Sequence, residues 1–284
     1  MEDYFVIQDD RLIECVNKEI LSAVIPEGVT EIAENAFYGC NNLSAVSFPQ
    51  SLKKIRDSAF KNCISLTQID LSYIEILGAY VFNGCISLES VKFGSDIGYL
   101  CNGTFENCIL LKEIMLPENI VYVGCECFKD CISLKSVEMG NVMEIDTSAF
   151  ENCSMLYSLT LPETLLHISP YAFSFCCSLK SVTVRNRIID IDEAAFENTV
   201  DIVIKASKCS AAYKYAVETG YKCMPTIIDE CCLIIDGSYV SRLNKAGIFF
   251  QMKPLDEVGK VIIRFDTSQK KEIEKIIGGK QNDK

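Results

Sequence analysis

Sixteen cysteines and a single histidine are the residues of this 284-residue chain best suited to chemistry. Cys125-x-Cys127-x3-Cys131, with Cys101 or Cys108 one repeat away, is the strongest metal candidate, because thiolates suit zinc. The group lacks the paired Cys-x-x-Cys spacing of structural zinc sites, and Cys131 belongs to a regular row of its own, so no metal is expected. The neighbours Cys176-Cys177 and Cys231-Cys232 are poor redox pairs, since adjacent cysteines rarely reach disulfide geometry. With only His167, neither a His-based triad nor a two-His zinc helix can be built. A lone His beside a strand reads as a packing or surface residue, although its unperturbed pKa lies nearest neutrality. Gly278-Gly-Lys280 sits at the end of a helical pattern, the wrong end for a phosphate loop. No catalytic residue, cofactor or metal is assigned, and the chain reads as a non-enzyme.

What positions all these residues is a strict period. Phe recurs at 37, 60, 82, 105, 128, 150, 173 and 196. Three places later stand Cys40, Cys63, Cys85, Cys108, Cys131, Cys153 and Cys176, with Thr199 closing the row. Leu follows six places after Phe from Leu43 to Leu179, and an aliphatic residue lies five before it from Ile32 to Ile191. A period of this length marks a leucine-rich repeat solenoid of about eight repeats of 22–23 residues, whose coils bury their apolar faces only by stacking. Each coil reads as two short extended pieces joined by a turn and one helical turn. Asn62, Asn107 and Asn152, or Gly39 and Gly84, precede the corner Cys, where a left-handed backbone is least costly for these residues.

The string Ile-Pro-x-x-Val-x-x-Ile-x-x-x-Ala-Phe-x-x-Cys-x-x-Leu-x-x-Val, from Ile25 to Val46, resembles the BspA-like leucine-rich repeats, and the resemblance runs over residues 17–224. It implies a protein-binding array, and, for exported members, adhesion to host or matrix proteins. The better-known leucine-rich pattern carries Asn and a hydrogen-bond ladder at the corner; with Cys there, packing alone is expected to hold it.

The first 224 residues carry 17 Lys and Arg against 30 Asp and Glu, and the last sixty carry ten against nine. Such an acidic array repels phosphate, so nucleic acid is not an expected partner. Neighbours in a parallel Cys row do not converge as a disulfide requires, so the thiols are read as small buried hydrophobes. The opening Met-Glu-Asp-Tyr-Phe shows no basic stretch leading into an apolar region, and no apolar run reaches membrane-span length. Reduced cysteines and no leader in this chain favour the cytoplasm; the cell surface is the alternative if a leader was removed.

Three segments are expected. Residues 1–24 form an N-terminal cap and partial repeat, with a hairpin about Asp9-Asp10. Residues 25–224 form the array, ended by a helix that Ser210 opens and Gly220 stops. Residues 225–284 form a small α+β module or docking extension, with a hairpin at Asp236-Gly237, a strand at Val258–Phe265 and a helix over Ser268–Ile277.

Outward places on the first strand of each coil are small and polar, from Ala45 and Ser47 to Ser181 and Thr183. The second strand differs. Its outward row runs Glu31, Lys54, Ile76, Tyr99, Tyr122, Glu144, His167 and Asp190, with Val121, Met143 and Leu166 alongside. Ile76, Tyr99 and Tyr122 are expected to form one contiguous apolar stripe, extended by Val121, Met143 and His167, either as a partner surface, as a seat for the carboxy-terminal module or simply as an aromatic ladder between strands. The function expected is therefore a non-catalytic protein–protein interaction module for a protein partner. An exported adhesin, and a small enzymatic or regulatory module in residues 225–284, stand as alternatives.

Overall fold

The computed structural model describes residues 4–208, 210–225, 230–248, 250–254, 260–266 and 269–278. They form two compact units, one reaching Ala206 and including Ser210–Met224, the other holding Ser207, Lys208 and the residues from Pro225 onward.

In the larger unit the repeat becomes nine coils. A first row of parallel strands runs Ser22–Val24, Ala45–Ser47, Gln68–Leu71, Ser90–Phe93, Glu113–Met115, Ser136–Glu138, Ser158–Leu161, Ser181–Val184 and Val203–Ala206. Equivalent positions pair across coils, as Ile114 with Val137 and Leu159 with Val182. The second row consists of two-residue strands from Glu31–Ile32 to Asp190–Ile191. All eight Phe side chains of the period are completely buried. Their rings stack in one column, with centroids 4.8–5.6 Å apart and planes within 3–17° of parallel. Such pairs contribute about 0.5–1.5 kcal/mol each beyond their burial.

The corner around each Phe is held by a backbone ladder. The residues two before Phe, Phe itself and the residue two after it donate N–H to the following coil: Asn35 to Asp57 O, Phe37 to Ala59 O, Gly39 to Lys61 O. The residues between them, and the Cys that follows, donate within their own coil, as Ala36 to Ala33 O, Tyr38 to Asn35 O and Cys40 to Phe37 O. Alternating the two directions requires two left-handed residues per coil. After Phe they are the expected Gly39, Asn62, Gly84, Asn107 and Asn152, together with Asp130, Phe175 and Asn198. Before Phe they are Asn35, Ser58, Tyr80, Gly103, Glu126, Ser148 and Tyr171, with φ between 54° and 60°. At Gly103 a Cβ would strike the Tyr80 ring, so any side chain there would have to displace that ring.

The cysteine row corrects one expectation: packing is not alone at the corner. Cys63, Cys85, Cys108, Cys131, Cys153 and Cys176 each donate S–H to the carbonyl of the preceding coil's Phe, at 3.2–3.4 Å. That carbonyl also accepts the N–H three residues on, so both its lone pairs are engaged. Thr199 stands in the same place but inserts its hydroxyl, donating to Phe173 O at 2.7 Å while accepting the Cys176 N–H at 3.2 Å. Cys40 differs, since Cys15 takes the Phe place of the coil before it, donating N–H to Ala36 O as Phe37 does to Ala59 O. A hydrogen bond from Cys40 lowers the Cys15 thiol to about 7, and Cys40 is pushed up in turn. Burial drives the rest of the row upward, to about 12 at Cys63 and Cys176. Among the described residues the cysteines are free thiols.

Both ends of the array are closed. At the start, Phe5–Gln8 pairs antiparallel with Arg11–Cys15, turning at Asp9, and the Phe5 ring stands edge-on to Phe37 at 5.8 Å. Arg11–Cys15 continues the second row against Glu31–Ile32. Glu31, nearly buried, accepts Arg11 Nε at 2.8 Å and Arg56 Nη2 at 2.7 Å. The Arg56 bond, aided by Arg11 and opposed by burial, holds its carboxyl below the usual range. At the far end lies α1 (Ala211–Thr219), with Tyr213 donating its N–H to Ser210 Oγ and Gly220 left-handed at the stop. Its Tyr215, with Tyr221, packs against the last Phe of the column, Phe196.

The smaller unit has a three-stranded antiparallel sheet, with Lys260–Asp266 between Glu230–Asp236 and Phe250–Pro254. It also has α2 (Val240–Lys245) and α3 (Lys270–Gly278), and Leu243, Ile248, Ile263 and Ile273 form its core. Asp236-Gly237 is not a hairpin. The chain passes there into a 3-10 turn (Gly237–Tyr239) and α2, because Val240 and Leu243 take up the core contact that a returning strand would have made. Val258 and Ser268, the expected starts of the strand and the last helix, and Gly279 and Lys280 lie outside the described residues.

Native-state alkylation with iodoacetamide, read by peptide mass spectrometry, is expected to label exposed Cys177 and half-buried Cys101, Cys125 and Cys223, and to spare Cys63, Cys85, Cys108, Cys131, Cys153 and Cys176 until denaturant is added. Glu31→Gln is expected to cost about 1–2 kcal/mol at pH 7. Because the native Glu31 pKa is depressed, that contribution is present above about 4.5 and disappears as pH falls through the native value. Urea titrations at pH 7 and pH 3 check it; an equal cost at both would remove the charged pairing as its cause.

Candidate functional site

The second row is two ladders, one ending at Ile76–Leu77 and the next starting at Tyr99–Leu100. Tyr99 pairs with Tyr122, Tyr122 with Glu144, Glu144 with His167 and His167 with Asp190. Ile76 lies in a different sheet, paired with Lys54, and is half-buried. The stripe expected from Ile76 through Tyr99 therefore breaks between these coils. Gly94 and Gly98 lead into Tyr99, Gly94 where four other coils carry Pro26, Pro49, Pro117 and Pro162 and Gly98 where every other coil carries a side chain, and strand pairing resumes only beyond them.

The residue ahead of each strand carries the apolar surface. Met143 donates its N–H to Val121 O and Leu166 to Met143 O, both at 2.8 Å, so Val121, Met143 and Leu166 stand directly over one another. They are 41%, 43% and 42% exposed, and Tyr99, in the neighbouring place one coil earlier, is 48% exposed. The row ends at Leu166: the corresponding Ile189 is buried, and Ile188, 70% exposed, belongs to a local turn in which Asn186 Oδ1 accepts its N–H.

Tyr122 is half-buried, and its hydroxyl donates to Asp146 Oδ2 at 2.6 Å. Burial opposes the Asp146 charge, but the bonds from Tyr122 and Thr147 outweigh it and leave the carboxyl below its usual range. Burial and the Asp146 bond push the Tyr122 phenol upward. His167 Nδ1 lies 3.1 Å from Asp190 Oδ2 in a largely exposed pair. Tyr99, Val121, Tyr122, Met143 and His167 are thus brought together, and Ile76 is not.

Two further features were not read from the sequence. Ile64, Ile86, Ile109 and Ile132 occupy the place after the corner Cys in four consecutive coils and leave a second apolar edge partly exposed; the repeated Cys-Ile pair was its signal. Between the last coil and α1 lies an open cleft of about 770 Å³, walled by Tyr215 and Tyr221 and rimmed by Asp190, Glu193, Glu197 and Glu218. Lys214, 3.5 Å from Glu218, is the cation on this rim. No cluster of three His, Cys, Asp or Glu placed to hold a metal occurs among the described residues, so Cys101, Cys108, Cys125, Cys127 and Cys131 form no such site there. No described helix is long and apolar enough to cross a membrane.

Comparison with known proteins agrees with the coil geometry. A profile for the BspA type leucine rich repeat region matches in six copies, over residues 14–110 and 75–203. No curated protein matches. A leucine-rich repeat protein from Bacteroides ovatus superposes with a TM-score of 0.57 at 23% identity, covering 74% of this chain and 61% of its own. This chain thus spans less than two thirds of that protein's length. The leucine rich repeat protein of T. pallidum gives a TM-score of 0.57 at 28% identity, over 63% of this chain and 89% of its own.

Tyr122→Phe is expected to raise the Asp146 pKa toward the ordinary aspartate value and to cost about 0.5–1.5 kcal/mol. The cost should be present above pH of about 3.8 and lost as pH falls through the native Asp146 pKa. Carboxyl carbon-13 NMR titration of wild type and variant checks this, an unmoved Asp146 midpoint being the contrary result.

Proposed function

This chain belongs to the BspA-type leucine-rich repeat family, and from that premise we propose that it is a non-catalytic protein-interaction module whose contact surface is the second-strand face at Tyr99, Val121, Tyr122, Met143 and His167, joined by Leu166. The observation that carries the reading is the unbroken exposed row Val121, Met143, Leu166, set beside Tyr99 on a ladder of hydrogen-bonded coils. A rigid backbone beneath means that little ordering is left to do on binding, which leaves more of the contact energy as affinity. Aromatic and methionine side chains are the residue types that anchor such contacts.

The opposite choice, the first-strand face, is weaker. Its outward positions are Ser, Thr, Gln and charged side chains already engaged with one another, as Lys92 with Asp70 and Lys112 with Glu89. Met115 and Tyr157 are its large exposed apolar residues over the same coils, and they stand two coils apart and three places out of register, so they form no row. A reduced state of the array fits the reading too. The thiols serve as hydrogen-bond donors to the Phe carbonyls, which a disulfide would abolish, and this supports a reducing compartment such as the cytoplasm as the place of work.

The test is affinity capture from bacterial lysate with wild type and the Tyr99→Ser, Tyr122→Ser double variant. A partner held by wild type and lost, by tenfold or more, from the variant is expected, with the variant melting several degrees lower but still cooperatively and with a native circular dichroism spectrum at the temperature of capture. Equal recovery by both proteins would move the contact surface elsewhere.

A further inference from the structure

We infer that the stripe receives a basic amphipathic α-helix laid along the stacking axis, one helical turn to each coil; this rests on the second-strand face being the contact surface. The first reason is spacing. Successive coils set the Phe rings 4.8–5.6 Å apart, and the residues of the stripe rise with the same coils. An α-helix rises about 5.4 Å per turn, so residues at i, i+3 or i+4, and i+7 meet consecutive coils in step. A strand repeats its same-face side chains at about 6.8 Å and falls out of step by more than an ångström at every coil. Tyr99, Val121, Met143 and Leu166 lie on four consecutive coils, which offers such a helix four turns of contact.

The second reason is charge. The second-strand segments of four coils, 96–102, 118–125, 141–147 and 163–170, contain no Lys or Arg. They carry Asp96, Glu118, Glu144, Asp146 and Glu163, of which all but Asp146 are exposed; the next coil, with Arg185 and Arg187 beside Asp190 and Asp192, ends the purely acidic stretch. Beyond it lies the acidic cleft beside α1. Opposite charge around an apolar line is what steers and orients a basic partner. The same carboxylates repel an anionic lipid surface or a nucleic acid.

The probe is an 18-residue peptide of Leu and Lys with Leu at helical spacing, its binding to the full chain followed by fluorescence anisotropy. Two controls accompany it: the same composition in strict alternation, which favours a strand, and a helical Leu and Glu peptide. The helical Lys peptide is expected to bind at least tenfold more tightly than either control. A Val121→Ser, Met143→Ser, Leu166→Ser variant should weaken it tenfold or more. Because that variant alters apolar surface, Glu144→Gln with Glu163→Gln provides an independent check and should weaken binding while reducing its salt dependence. Equal or tighter binding of the alternating peptide, or failure of the helical Lys peptide to bind, overturns the helical partner. Affinity unchanged by the serine variant overturns its seat on the stripe, and affinity unchanged by the glutamine variant overturns the charge argument. If capture of a protein still depends on Tyr99 and Tyr122 while the helical Lys peptide does not bind, the surface stands and the helix falls; if capture ignores Tyr99 and Tyr122, both fall.

Discussion

The corner N–H groups set the terms for everything else in the array. A tight bend that is buried on one side cannot leave its backbone donors unpaired, because each unpaired donor costs about as much as a lost hydrogen bond. This chain meets the obligation by sending alternate N–H groups forward to the next coil and the others back into its own. That alternation demands two left-handed residues per coil. Once the backbone is fixed in this way, Phe can only point inward, the Phe carbonyl is left with a spare lone pair, and a thiol from the next coil fills it. Ring column, thiol row and strand rows are consequences of one backbone arrangement.

The stripe inherits its geometry from the same source. Val121, Met143 and Leu166 stand in line because their backbones are bonded coil to coil, and side chains on bonded neighbours have no freedom to drift out of register. The surface is thus presented on a rigid support, while its apolar side chains, methionine above all, can still adapt to what they touch. The array is also asymmetric along this face. Before Tyr99 the corresponding residues are Thr30, Lys53 and Glu75, and the two strand ladders on either side are separate.

Legibility in the sequence followed the strength of the chemical demand. The Phe, Leu and Cys rows were readable because core places admit few residue types. The left-handed places after Phe were readable because Asn and Gly mark them. Those before Phe were not, since Ser58, Tyr80, Glu126, Ser148 and Tyr171 show no preference for that conformation and are held there by the ladder. Thiol hydrogen bonds were missed because Cys reads equally well as a plain hydrophobe. The break between Ile76 and Tyr99 was missed because the period in sequence continues through it, although the strand pairing does not. At Asp236-Gly237 a turn signal was real, but the apolar spacing of Val240 and Leu243 after it decided for a helix.

The forward direction of the corner bonds gives the array an arrow in time as well as in space. Each coil donates to the one that follows it in the chain, as Asn35, Phe37 and Gly39 do to the coil of Phe60. A ribosome delivers coils in that order, so the corners at the growing end of a nascent array hold donors awaiting a coil not yet made, while second-strand N–H groups such as that of Met143 pair back to the coil already present. The array therefore becomes complete only when its last turn, α1 and Tyr221 emerge, and until then its newest edge is the part of the nascent chain most open to mispairing with a neighbour on the same messenger.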